Sequence, residues 1–206
     1  MGLIFPEKRK RINMAGNFFA FTSRIKYINR WALMRNTETE NLSQHSQEVA
    51  SVAYALALIG NKRLSKKYNA ERAAVLGLYH DVPEIITGDM PTPVKYYNED
   101  MRNTFKTIED NAARKLLGML PDDLKEEYTS LFIRQNEDSE LWKLVKAADK
   151  ISAYIKCIEE RKAGNTEFLE AESSTKKLIK SLGCPEADIF TEEFIPPFEL
   201  SLDKLK

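Results

Sequence analysis

Apolar side chains recur at intervals of three and four along most of the chain, and that spacing commits it to helices. Phe18, Phe21, Ile25 and Ile28 share one face of a helix over 17–29, with Arg30 and Trp31 at its end. Val49, Val52, Ala53, Leu56 and Ile59 stripe a helix over 44–59, which Ser43 caps and Gly60–Asn61 stop. Asn69 caps the next helix, which carries Ala73, Leu76 and Gly77 and is bent or ended by Pro83, because proline lacks the N–H and crowds the preceding turn. Further helices are expected over about 98–118, from Asp122 to about 134, over 140–163 behind a Ser139 cap, and over about 166–182 up to Gly183. The tail, FTEEFIPPFELSLDKL, is aromatic and broken by prolines, and is expected to pack on the core or on a second subunit.

Strand signals are missing: there is little Val/Thr alternation and no Asn-Gly hairpin turn. The expected fold is therefore all-α, one domain over residues 14–206. Residues 1–13 (MGLIFPEKRKRIN) form a basic extension without an apolar segment behind the charges, so they do not read as a secretory signal; Met14 would serve as a start. The longest apolar run, around 52–59, is too short to cross a bilayer. The 31 basic and 31 acidic residues cancel, which argues against binding a nucleic-acid polymer through released counterions. Two cysteines, Cys157 and Cys184, show no disulfide or zinc spacing, so a reducing cytoplasm is expected.

The chemistry concentrates in LYHDVPEIITGDMPTP, residues 78–93, where a helix must stop. The chain has two histidines, His45 in the first turn of one helix and His80 at the end of another, beside Asp81. Asp149 falls at the margin of the apolar stripe of its helix, near Ser152. A carboxylate there is either salt-bridged at the surface or drawn into a site, since its desolvation must be offset. Taken together, two imidazoles and two carboxylates from three helices suit a borderline divalent ion better than calcium or magnesium.

The order H…HD…D on successive helices resembles the HD-domain metal-dependent phosphohydrolases, whose fold is a helical bundle. INRWALMRN, LSQHSQEVA, YHDVPEIITGDMPTPVKY, KAADKISAYIKCIEE and the tail IPPFELSLDKL further resemble the bacterial 5′-deoxynucleotidases of that superfamily, from about Asn17 to Leu205. Gln44 departs from the glutamate that many members carry before the first histidine.

The resemblance implies that His45, His80, Asp81 and Asp149 hold one divalent ion, cobalt, manganese or similar. It implies a deoxyribonucleoside 5′-monophosphate as substrate, contacted by Arg30, Trp31, His45, Asp81, Asp89, Met90, Pro91, Thr92 and Asp149. Glu84 would orient or deprotonate the attacking water, and on a continuing helix it shares the face of His80. Asp89 would either protonate the leaving oxygen or bond the sugar 3′-hydroxyl. Arg30 would clamp the phosphate, with Trp31 as a wall against the sugar and Lys95 either adding charge or solvated. A homodimer is implied as well. Two other readings remain open at this point. One is another HD-type activity, on nucleoside triphosphates or cyclic nucleotides; the other is a nucleotide sensor with a silent metal site.

Overall fold

The computed structural model describes residues 16–95 and 97–205; the expectations for residues 1–13 lie outside them. The described residues form ten α-helices and no strand, with one isolated antiparallel bridge between Asn29 and Asn41. The helices are α1 Phe18–Thr22, α2 Leu42–Arg63, α3 Ala70–Tyr79, α4 Glu84–Thr87, α5 Thr92–Lys95, α6 Glu99–Leu117, α7 Asp122–Phe132, α8 Ser139–Lys162, α9 Leu169–Ser181 and α10 Pro185–Phe194. None is long and apolar enough to cross a membrane.

Helix α8 is the axis of the bundle. Every residue from Ile151 to Ile158 is buried, so this stretch is enclosed on all sides rather than on one face. Helices α2, α3, α9 and α10 pack around it, and α10 also rests on α2. Val49, Val52 and Leu56 of α2, Leu76 of α3 and Leu144, Ile151 and Ile155 of α8 form the main core. Each fully buried side chain of this size contributes about 1.5–3 kcal/mol. A second cluster joins Phe18, Val82, Leu116, Leu117 and Leu120, with Phe18 edge-on to Tyr128 at 5.1 Å. Val82 sits between Asp81 and Pro83, so this cluster anchors the turn that follows α3.

Several boundaries differ from the sequence reading, each for a local reason. The helix expected over 17–29 is short: α1 gives way to a 3₁₀ turn at Ser23–Tyr27, and Ile28 is extended. Arg30 and Trp31 therefore stand in a loop. Asn41, not Ser43, caps α2, because the bond from Leu42 N–H to the Ile28 carbonyl holds Asn41 in extended backbone. Its side chain accepts from the Ser43 and Gln44 amides, and Gln44 Oε1 accepts from Asn41 N–H at 2.9 Å. This is a capping box, which glutamine closes as well as glutamate does; the departure at Gln44 thus keeps its structural work. Gly60 does not end α2. It faces the Tyr68 ring, where a Cβ would come within 2.6 Å. Ser139 begins α8 but does not cap it; Asp138 holds the cap position with its carboxylate turned to Arg72 at 2.6 Å. A further helix, α10, runs into the tail, opened by Pro185 at its first position and buried through Ala187 and Phe190.

Gly77 sets the approach of α3 to α2. A Cβ there would lie 3.0 Å from Ala50 Cα and 3.2 Å from the Val49 carbonyl, both backbone atoms that cannot swing aside. The Gly77 carbonyl also accepts from His80 Nδ1 at 2.7 Å, so this contact carries the fold into the site. Gly77→Ala is expected to lower stability by about 1–3 kcal/mol through overpacking, despite the helix propensity alanine adds. Urea unfolding checks this, and a stabilised variant would refute the close-packing argument.

Candidate active site

His45, His80 and Asp81 each offer one ligand atom, and these atoms lie within 4.8 Å of one another. His45 comes from the first turn of α2, and His80 and Asp81 from the turn after α3. The imidazole centroids are 5.3 Å apart. His45 Nε2 is 3.6 Å from Asp81 Oδ2 and 3.3 Å from Asp149 Oδ1, while His80 Nε2 is 3.0 Å from Asp81 Oδ2. Asp149 approaches the cluster at His45, and its other oxygen lies 2.8 Å from Lys150 Nζ. Both Nε2 atoms are buried and lack a hydrogen-bond partner. A buried nitrogen without a partner is costly, and two of them aimed at carboxylates suit a cation between them.

The charges respond accordingly. Burial opposes ionisation of Asp81, yet His80 and then His45 hold its carboxyl well below the usual range. Burial likewise opposes the charge on Asp149, and Lys150 and His45 outweigh it. His45 is pushed down by burial and by Arg30, whereas His80 is raised, Asp81 overcoming its burial.

Glu84 opens α4, but not as the continuing helix required. Pro83 has no N–H, and the chain tightens into i→i+3 turns, with Glu84 N–H bonding the Asp81 carbonyl at 2.9 Å. The side chain still enters the site: it is 6% exposed, its Oε1 lies 3.9 Å from Lys95 Nζ, and its Oε2 is buried without a partner. Burial, with the charges of Asp81 and Asp89, pushes its carboxyl up to about 10. Lys95 itself bonds Glu109 Oε1 at 2.7 Å and lies over the Phe105 ring, so it is not simply solvated.

Arg30 and Trp31 sit in a loop closed at its base by Arg30 N–H to the Glu40 carbonyl and Leu42 N–H to the Ile28 carbonyl, each 2.9 Å. Glu40, which the sequence reading passed over, organises both side chains. Its Oε2 accepts from Arg30 Nε at 3.1 Å and from Trp31 Nε1 at 2.8 Å. Burial disfavours the Arg30 charge, but Glu40, Asp149, Asp81 and Asp89 together raise its pKa. Trp31 has φ of 58°, a left-handed conformation that is a genuine outlier for a bulky residue. The ring is held against Phe168 at 5.2 Å, and the Trp31 N–H donates to Asp89. Helix α8 pins the loop from below: Glu160 accepts from the Thr37 and Glu38 amides at 2.8 and 3.2 Å, and Lys156 Nζ bonds the Glu38 carbonyl and Glu160. Burial opposes the Glu160 charge, but these bonds, led by Lys156, hold it down to about 2.

Asp89 is thus joined to the loop through Trp31, and its carboxyl is raised by burial against the pull of Arg30. Met90 and Pro91 continue from it half-buried, and Thr92 begins α5 on the exposed side. His45, His80, Asp81 and Asp149 thereby meet directly, Arg30 reaches Asp81, and Glu84 and Asp89 act on the cluster through their charges, whereas no side-chain contact ties Met90, Pro91 or Thr92 to it among the described residues. Glu40, Ser152 and the Lys156–Glu160 pair are the additions.

In the metal-free protein Glu84 keeps its proton when folded up to about pH 10 but loses it near 4.5 when unfolded. The folded form then binds more protons, so stability falls as pH rises through this window. Glu84→Gln is expected to raise the melting temperature of the metal-free protein at pH 8 and to do so less near pH 5. A pH-independent difference between the two proteins would refute the assignment.

Residues 17–198 match the family described as 5′-deoxynucleotidase YfbR-like. The chain is 48% identical over 189 residues to a 5′-deoxynucleotidase of Enterobacter sp. (strain 638), covering 92% of this chain and 95% of that one. It is equally similar to a 5′-deoxynucleotidase of Yersinia pestis (strain Pestoides F), with 92% and 96% covered. Among solved structures, an HD-domain phosphohydrolase from Listeria innocua superposes with a TM-score of 0.77 at 20% identity, covering 88% of each chain. The cyanophage S-2L HD phosphohydrolase DatZ, bound to dA and one catalytic Zn²⁺ ion, superposes at 0.63 with 18% identity, covering 86% of this chain and 95% of that one. These structures share the fold; the sequence match carries the family. The chain has the all-α HD-domain fold and belongs to the YfbR-like 5′-deoxynucleotidase family.

Proposed function

We propose that the chain is a metal-dependent 5′-deoxynucleotidase, hydrolysing deoxyribonucleoside 5′-monophosphates to deoxynucleosides and inorganic phosphate. The two buried Nε2 atoms without partners, facing Asp81 and Asp149 and flanked by Arg30, carry this reading. His45, His80, Asp81 and Asp149 would hold one divalent ion; two imidazoles and two carboxylates favour cobalt, manganese or a similar transition metal. When bound, such an ion supplies Lewis acidity toward a phosphoryl oxygen and lowers the pKa of a water.

The chain's own residues supply the rest. Glu84 Oε2 has no hydrogen-bond partner; the charge of a bound cation would favour its ionised form, and the carboxylate would then take a proton from the attacking water. Arg30 spends Nε on Glu40, which leaves its terminal nitrogens for the phosphate; Nη1 is 3.7 Å from Asp81. Asp89 serves the substrate side, protonating the leaving 5′-oxygen or bonding the 3′-hydroxyl. Met90, Pro91 and Thr92 extend that side, and His45, Asp81 and Asp149 border the phosphate. Trp31, locked by Glu40 and Phe168, is the wall beside C2′, where a ribose hydroxyl would be crowded and desolvated. Lys95 is paired with Glu109, which favours a single phosphate over a longer chain of them. A cytoplasmic setting fits two buried free thiols, and the exposed Leu202 and Leu205 of the tail offer apolar surface to a second copy in a homodimer.

Phosphate release from dAMP, AMP, dATP and cyclic AMP with cobalt, manganese or magnesium tests the reading. Rapid turnover of dAMP is expected, lost on chelation and regained with metal. Equal rates on dAMP and AMP would remove Trp31 from its role; otherwise Trp31→Ala should bring the two rates together. Glu84→Ala is expected to lower turnover by about 10²–10⁴-fold with metal binding retained. A preference for dATP or cyclic AMP would move the chain to another HD-type activity, and binding without turnover would make it a sensor.

A further inference from the structure

Two facing helices each bring a pair of polar residues, three positions apart, to the cluster: His45 and Glu48 on α2, Asp149 and Ser152 on α8. The first members meet at 3.3 Å, His45 Nε2 to Asp149 Oδ1. The second members meet at 2.5 Å, Ser152 Oγ to Glu48 Oε2. Ser152 Oγ also lies 3.0 Å from His45 Nδ1. Carboxylate, hydroxyl and imidazole thus form one line that ends on the partnerless Nε2.

Hydrogen-bond chemistry gives this line a direction. A carboxylate only accepts, so the Ser152 hydroxyl donates its single proton to Glu48. The same oxygen can then only accept from the imidazole, so His45 carries its proton on Nδ1. Its lone pair is left on Nε2, facing Asp81 and Asp149. His80 reaches the same tautomer by a shorter route, since its Nδ1 donates to the Gly77 carbonyl at 2.7 Å. His45 sits in the first turn of α2, where its own amide is bonded to the Asn41 carbonyl, and takes a side-chain partner instead.

We infer that Glu48 and Ser152 are positioning residues that act through His45, fixing its tautomer and ring orientation so that Nε2 is presented to the metal. This rests on the metal site proposed above. Such partners typically change metal affinity by about 10- to 100-fold. Glu48 also borders a cavity of about 290 Å³ that it shares with Glu40, Gln44 and Lys156 and whose lining omits the metal cluster. The carboxylate can therefore be altered without entering the reaction space.

The test is cobalt(II) titration followed by visible absorption, with histidine-selective ¹⁵N labelling of the zinc-loaded protein. Two histidines in the chain make the spectrum two rings. The parent is expected to show a slowly exchanging Nδ1–H on His45. Ser152→Ala should lose that signal and bind cobalt about 10- to 100-fold more weakly. Glu48→Ala should weaken binding in the same direction, and the double variant no further than the worse single one, because both changes cut the same line. Glu48→Gln, whose amide oxygen still accepts from Ser152, should restore most of the loss. Thermal unfolding of the metal-free variants separates these effects from general loss of structure. Parent-like cobalt affinity and an unchanged Nδ1–H in Ser152→Ala and Glu48→Ala would overturn the positioning role while leaving the metal site standing. A parent that takes up no cobalt would overturn the metal site and this role with it.

Discussion

The enclosure of α8 is the constraint from which the site follows. Over Ile151–Ile158 this helix has no solvated face, although Lys143, Lys146 and Glu159 outside that stretch are exposed, so a polar side chain carried into the enclosed side must find a partner inside the protein. Asp149, Ser152, Lys156 and Glu160 lie along one side of it at steps of three, four and four. Each is matched: Asp149 with His45 and Lys150, Ser152 with His45 and Glu48, Lys156 and Glu160 with each other and with the loop before α2. One polar stripe through the core therefore orients an imidazole and fastens the loop that carries Arg30 and Trp31.

That fastening explains how the loop tolerates a left-handed tryptophan. Strained backbone persists where its surroundings over-determine it. Here Glu40 holds the indole, Phe168 backs the ring, Asp89 takes the amide, and Glu160 holds the amides a few residues on. The same contacts commit Arg30 to one orientation among several carboxylates. A guanidinium so placed is pre-organised for an anion, which reduces the ordering cost on binding.

Much of this was legible in the residues. Helical spacing identified the all-α class, and the scarcity of histidine drew attention to His45 and His80. The prolines and glycine after Asp81 marked the end of a helix beside charge. Other features were hidden because their signals are tertiary. Glu40 stands in an ordinary polar loop, and nothing in NTETENLS distinguishes it from its neighbours. Nothing local assigns Ser152 a partner until α2 is set against α8. Nothing in the i,i+4 spacing of Lys156 and Glu160 marks them as buried; the enclosure of α8 does that. Gly60 looked like a helix stop because glycine commonly is; its role is to admit the Tyr68 ring.

By itself the sequence determined helices α2, α3 and α6 to α9, since periodicity, caps and prolines act within a few residues of one another. It also determined which side chains have the chemistry for a metal and a phosphate. Tertiary structure alone decided which of them meet. The distance from His45 to Asp81 and Asp149, the entry of Glu84 despite a broken helix, and the grip of Glu40 on Arg30 and Trp31 depend on how closely α2, α3 and α8 pack. That packing is set by steric contacts such as Gly77 on Ala50, between residues far apart in the chain, and no local pattern encodes them.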